Sequence, residues 1–188
     1  MSEPEKKILK RIVIIGPEST GKSTLARQLA EHYQSLWVPE FARTYLAAHG
    51  MDYNYDDLLT IAKGQVELEA EIETSITSSS VTNKDMLFID TDMYVMQVWC
   101  EFVFQKWHSW ILEQIVSRPY DLYLLCDIDL PWVKDDLREY PDVESRRKLY
   151  SLYKELMISQ HVPWVEVNGA YDARLRQAID AVNTYIRL

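Results

Sequence analysis

Basic charge, cysteine, glycine and long apolar runs are all scarce in this chain. Its 20 Lys and Arg stand against 29 Asp and Glu, giving a net charge of −9 and a pI near 4.9. Binding along a phosphate backbone needs a basic surface, so nucleic acid is excluded as the main partner, whereas a neutral or cationic small molecule fits. An acidic surface also serves solubility alone. The two cysteines, Cys100 and Cys126, lie in separate apolar stretches with no CxxC, and read as buried reduced thiols. His32, His49, His108 and His161 show no metal-ligand spacing, which leaves zinc without support. The charged amino terminus, MSEPEKKILKR, leads into an apolar run of four residues. That is too short for a signal peptide or a membrane span, so the chain reads as cytoplasmic with no membrane partner.

With five glycines in 188 residues, the placement of two of them carries information. Residues 11–24 read RIVIIGPESTGKST, in which a strand-like run, Ile12 to Ile15, breaks into GxxxxGK[ST]. A helical pattern follows over 22–34, with Leu25, Leu29 and Tyr33 along one face. Strand, loop and helix together make a P-loop. Its backbone, from Gly16 through Glu18, Ser19, Thr20 and Gly21 to Thr24, wraps the phosphates of a nucleotide. Lys22 reaches the β- and γ-phosphates, and the Ser23 hydroxyl binds Mg²⁺. The helix amino terminus adds partial positive charge. The rival reading is a glycine turn that happens to precede a helix.

Strands and helices alternate through the rest of the chain. Strands are predicted at 11–15, 36–38, 86–89, 121–126 and 162–167. Helices are predicted at 22–34, from about 43, at 55–77, in two pieces within 92–117, and at 171–187. In the second long helix Leu58, Ala62, Val66, Ile72 and Ile76 make an apolar face, with Glu67, Glu69, Glu71 and Glu73 mostly outside it. The polar run TSITSSSVTNKD (74–85) reads as a loop. The alternation predicts one α/β domain over 1–188, with a mostly parallel five-stranded sheet flanked by helices.

Three further segments carry chemistry. LFIDTD (87–92) resembles a Walker B element, with Asp90 beside the Mg²⁺ site. The alternative is that Asp90 merely caps the next helix. Asp92 is a candidate for a substrate hydroxyl, or simply a first-turn residue. VPEFART (38–44) sets Glu40 and Arg43 three apart at the mouth of the sheet. There Glu40 suits a base and Arg43 a substrate or phosphate contact, unless the two form a surface ion pair. The charged stretch 130–150 holds Arg138, Arg146 and Arg147 and reads as a kinase lid, with Arg138 a candidate catalytic residue and the choice among the three arginines open. Its alternative is a solvated charged helix.

Trp37, Tyr45, Tyr53, Tyr55, Tyr94, Trp99, Trp107 and Trp110 crowd the middle of the sequence. One or two of them, Trp37 being the candidate chosen, can stack on a planar ring, more strongly on a cationic one. Asn83-Lys84-Asp85 imitates the guanine-reading NKxD, but the aspartate is one position early and the tripeptide precedes a strand.

Assembled, these residues resemble the ribosylnicotinamide kinase domain of the NadR family. The matching pieces are GPESTGKSTLARQLA, PEFARTYL, FIDTD with its aromatic-rich helix, PWVKDDLR, and Tyr171-Asp172-Ala173-Arg174. The resemblance implies a nucleoside-kinase-like P-loop fold with a lid. It also implies ATP-dependent phosphorylation of the 5′-hydroxyl of nicotinamide riboside, a small-molecule nucleoside. Some ten residues precede the first strand, so neither the adenylyltransferase domain nor the helix-turn-helix that many members carry is expected. The family commonly has an aromatic residue directly before the E-x-x-R glutamate; Pro39 stands there, with Trp37 two positions earlier. Glu40 and Asp90 both remain candidates for activating the hydroxyl. A kinase for another nucleoside or nucleotide, or a regulatory P-loop ATPase, would share the same phosphate chemistry.

Overall fold

The computed structural model describes residues 9–78 and 85–186. Most of the charged amino terminus and half of the polar run, the Asn83-Lys84 pair included, fall outside these residues. In chain order the elements are β1 (Lys10–Ile15), α1 (Lys22–His32), β2 (Leu36–Val38), α2 (Phe41–His49), α3 (Tyr55–Ser78) and β3 (Met86–Asp90). There follow α4 (Met93–Phe104), α5 (Ser109–Ser117), β4 (Leu122–Cys126), α6 (Val143–Ser159), β5 (Trp164–Val167) and α7 (Tyr171–Tyr185).

The five strands pair only in parallel, in the order β2-β3-β1-β4-β5. Parallel strands covered on both faces must be apolar throughout. Accordingly Ile12 to Ile15, Leu87 to Ile89 and Leu122 to Cys126 are buried without alternation. From β1 the chain goes out to β2 at the edge and back in to β3, then crosses to β4 and β5 on the other side of β1. The strand order therefore reverses at β1, and in such sheets the crevice outside the carboxyl ends at that point is where ligands bind.

Each sheet face carries its own core. One packs Ile12, Ile14 and Phe88 against α1 and α7, through Leu25, Leu29, Ala178 and Val182. The other packs Val13, Ile15 and Ile89 against α4 and α6, through Val95, Val98, Leu149, Tyr153 and Met157. A third cluster joins α2, α3, α4 and α5.

The boundaries depart from the sequence pattern in instructive places. Helix α2 begins at Phe41, two residues early; Glu40 stands at the N-cap position without a side-chain cap bond, and the Phe41 N–H is taken up by the Gln65 side chain. Helix α3 runs into the polar run as far as Ser78. Helix α6 is not among the predicted helices, though its first part agrees with the charged-helix alternative for 130–150. It claims residues 143–150 of the expected lid, leaving 127–142 as the segment without helix or strand. Glu69, expected on an outer face, is 2% exposed; it pairs with Arg118 at 2.9 Å and accepts from the Tyr120 hydroxyl at 3.1 Å. Among the described residues no helix is long and apolar enough to cross a membrane.

Candidate active site

The cleft begins where β1 ends. Gly16 has φ 139°, and a Cβ there would lie 2.7 Å from the Cys126 carbonyl oxygen, so only glycine lets the loop leave β1 this close to β4. Ser19 and Gly21 also take positive φ, 57° and 82°. Gly21 caps α1 without a side-chain hydrogen bond, and the first turn holds no acidic residue. That helix end is therefore open to an anion, with its N–H groups and dipole pointing at it. Inside the loop, the Thr20 hydroxyl and Lys22 Nζ donate to the Pro17 carbonyl at 2.8 and 3.1 Å.

One cleft is lined by residues 16–24 together with Glu40, Arg43, Trp99 and Arg138. The phosphate loop and the E-x-x-R segment, 16 residues apart at their closest, thus share a cavity. At the loop end Tyr171 lies against Gly21, while Val95, Trp99, Phe102, Leu149 and Tyr153 line the cleft from α4 and α6. The sequence reading missed most of this wall. Its signal was present in Val95, Trp99 and Phe102, spaced i, i+4, i+7 on one helix, and in Leu149 and Tyr153 at i, i+4 on another.

Glu40 is half-buried at the start of α2 and is held by its neighbours. The amide of Gln65, itself 1% exposed, accepts from the Phe41 N–H at 2.7 Å and donates to the Pro39 carbonyl at 3.4 Å. Arg43 does not pair with Glu40. It donates to Asp135 at 2.7 Å, tying α2 to the 127–142 segment.

Asp90 closes β3 opposite Ile14 and is fully buried, with neither carboxylate oxygen hydrogen-bonded. Burial and then the nearby Glu40 carboxylate push its carboxyl well above the ordinary range, against the pull of Lys22, Ser23 and Arg43. An orphaned carboxylate beside a P-loop serine suits a hard divalent cation. Among the described residues no group of three His, Cys, Asp or Glu forms a metal cage, and Mg²⁺ bound with nucleotide needs none, since phosphates and water complete its shell.

Two of the expected substrate contacts lie elsewhere. Asp92 is 1% exposed and caps α4, accepting from the Tyr94 and Val95 N–H groups at 3.0 and 3.3 Å and from the Tyr123 hydroxyl at 2.9 Å. Its two oxygens are occupied by protein donors, and burial pushes its carboxyl up to about 7. Between the two aspartates, Thr91 has φ 81°, a backbone conformation rare for a β-branched residue, and there the chain turns from the strand end into the α4 cap. Trp37 packs against the α1–α7 core, on the face of β2 opposite Val38, and is not part of the cleft wall. Of the aromatics, Trp99 reaches the cleft, with Tyr53 bonded to it at 2.9 Å.

The 127–142 segment attaches through side chains. Ser19 Oγ accepts from the Val133 N–H at 2.9 Å and from Arg138 at 3.4 Å; Arg138 also donates to the Val133 carbonyl at 2.6 Å. Glu18 accepts from the Glu139 and Tyr140 N–H groups at 2.9 and 3.3 Å. Arg138 therefore faces the phosphate loop. Arg146 is buried on α6, against Trp132 and the Leu130 carbonyl, and Arg147 points to solvent.

The model of a family described as an AAA domain matches residues 11–174. The chain belongs to that family. Within it, the similarity to NadR expected from the motifs extends over nearly the whole sequence. The trifunctional NAD biosynthesis/regulator proteins NadR of Salmonella typhimurium and Escherichia coli are each 29% identical over 179 residues, or 93% of this chain. The chain spans 42% of their length. A structure of NadR protein in complex with NR superimposes with a TM-score of 0.78 at 25% identity, covering 95% of this chain and 50% of the other. NadR in complex with NAD and AMP-PNP gives 0.74 at 25%, covering 96% and 51%. Thymidylate kinase from Candida albicans, at 17% identity and a TM-score of 0.63 over 94% and 92%, shares the fold. The AAA-domain chain described here thus has the P-loop kinase fold, with a parallel five-stranded sheet.

Proposed function

We propose that this chain is a cytoplasmic ribosylnicotinamide kinase. It transfers the γ-phosphoryl group of ATP to the 5′-hydroxyl of nicotinamide riboside, giving nicotinamide mononucleotide and ADP. The observation that carries the reading is that Lys22 and Glu40 line one cleft, a phosphate ligand and a candidate base at two ends of the same cavity. The NadR structures with NR and with an ATP analogue support the choice of both ligands.

The loop amides and Lys22 hold the β- and γ-phosphates, and Arg138 covers them from the lid. Ser23 and Asp90 would hold Mg²⁺, directly or through water, and the bound ion would supply charge neutralisation on the phosphates. Glu40, on the cleft wall, orients the acceptor hydroxyl and takes its proton as the new O–P bond forms and the bond to the ADP oxygen breaks. Asp90 is left to the metal because it lies buried at the end of β3. Arg43 stands beside Glu40 to contact the nucleoside.

A thermal-shift screen tests the ligand pair. At 100 times Kd, a true ligand stabilises the fold by about 2.7 kcal/mol. Nicotinamide riboside and a non-hydrolysable ATP analogue should each raise the melting temperature, and adenosine and uridine should not match the riboside. Equal shifts with all three nucleosides would favour a kinase of broader specificity.

A further inference from the structure

The segment 127–142 has no helix or strand, so its position over the cleft depends on the side-chain bonds that fasten it. Those bonds come from both ends of the site. At the phosphate loop, Glu18 accepts from the Glu139 and Tyr140 N–H groups. At the α4 wall of the cleft, which the proposed function leaves to the acceptor, the Tyr53 hydroxyl donates to the carboxylate of the same Glu139 at 2.7 Å and accepts from Trp99 Nε1 at 2.9 Å. One residue, Glu139, is thus gripped through its backbone by the nucleotide end and through its side chain by the acceptor wall. Trp99 lines the cleft from α4, and Tyr53 packs edge-on against its ring at 5.1 Å.

We propose that Tyr53 is a positioning residue that joins the lid to the acceptor wall through Glu139 and Trp99, so that nucleotide and nucleoside bind with positive coupling. This rests on the reading of the cleft as a two-substrate site. Ordering the segment is unfavourable in entropy, and whichever substrate binds first bears that cost, so the second binds more tightly. Burial, followed by the bond to Glu139, holds the Tyr53 hydroxyl far above the ordinary tyrosine range, so it stays protonated and both donates and accepts. The Tyr53 ring also packs against Phe104, and Asn54, the next residue, accepts from the Asp56 N–H at the start of α3. Tyr53 is therefore fixed from its own side and does not follow the lid.

Tyr53→Phe tests this, because it keeps the ring and deletes both bonds. Calorimetry would give Kd for a non-hydrolysable ATP analogue, alone and with saturating nicotinamide riboside. In the wild type the analogue should bind at least about 5-fold more tightly when the riboside is present, the lower end of ordinary coupling between sites. In Tyr53→Phe that gain should fall by about 3-fold or more, toward no gain at all, while the Kd of the analogue alone stays within about twofold. A wild type with no gain, or a variant with the full gain, overturns the proposal. If the wild type does not bind nicotinamide riboside at all, the acceptor assignment has failed. The attachment is then read from amide hydrogen exchange in the ligand-free protein. Glu139 and Tyr140 should exchange faster in Tyr53→Phe, and unchanged exchange overturns the proposal.

Discussion

Replacing Gly64 with alanine tests how the candidate base is held. Gly64 lies in α3, and a Cβ there would fall 2.5 Å from both Cδ1 and Cζ of Phe41, and closer still to Cε1. Carbon atoms in contact sit about 3.5–4.0 Å apart, so the ring must withdraw by more than about 1 Å. Phe41 is joined to Glu40, and its N–H is bonded to Gln65, the residue after Gly64. The displacement therefore passes to the start of α2. Overpacking costs about 1–3 kcal/mol, and the gain in helix propensity returns about 1 kcal/mol. The melting temperature should fall by no more than about 8 °C. Activity should suffer more, since misplacing a reacting group by about 1 Å costs up to about 100-fold in rate. Steady-state kinetics with a melting curve decides it: kcat should drop by about 10- to 100-fold with KM for ATP unchanged. A stable variant with wild-type kcat would refute the claim that this contact sets Glu40.

Other expectations follow from the same geometry. Glu40→Gln should lower kcat by on the order of 100-fold with little change in ATP affinity, toward the lower end for base removal because a loose transfer leans little on a base; full kcat in this variant would transfer the role to Asp90. Asp90→Asn should raise the Mg²⁺ concentration needed for turnover, yet stabilise the metal-free protein at neutral pH by a few degrees. The folded carboxyl of Asp90 lies above its unfolded value, so its ionisation in the native state is a cost absent below about pH 4 that grows toward neutrality. Melting curves across that range should diverge as pH rises, and a constant offset would count against this. Arg174 is 1% exposed and donates to the carbonyls of Asp127, Val167 and Gly169 and to Asp129. Arg174→Ala should cost about 2–4 kcal/mol in chemical denaturation, and a loss under 1 kcal/mol would mean that water replaces it.

What was legible in the sequence was what depends on local pattern. The P-loop, its flanking elements, the aspartate ending β3 and the Glu40–Arg43 pair all follow from spacing and short-range chemistry. Their shared cleft depends on the sheet order, which brings the ends of β1, β2 and β3 together and cannot be read from any one segment. The failures were of direction and partner. Trp37 and Val38 are neighbours, yet period-two alternation sends them to opposite faces, and the tryptophan goes to the core. Asp92 reads either as a substrate contact or as a helix-start residue, and the structure spends its oxygens on the α4 cap and on Tyr123, a partner 31 residues away that no local pattern shows. Helix α6 reads only as the charged-helix alternative to a lid because Glu144, Arg147 and Lys148 crowd its first turns, although Arg146, Leu149, Tyr153 and Met157 follow helical spacing on its buried face. Glu69 finds Arg118 only in the folded chain.

The central claim is tested most directly by measuring both products of a single reaction. With MgATP and nicotinamide riboside, the wild-type protein should form ADP and nicotinamide mononucleotide in a one-to-one ratio. ADP formation should fall to a small background when the riboside is left out, and Lys22→Ala should form neither product while keeping its fold. ADP formed at the same rate with and without the riboside, and no phosphorylated nucleoside, would contradict the account and identify an ATPase.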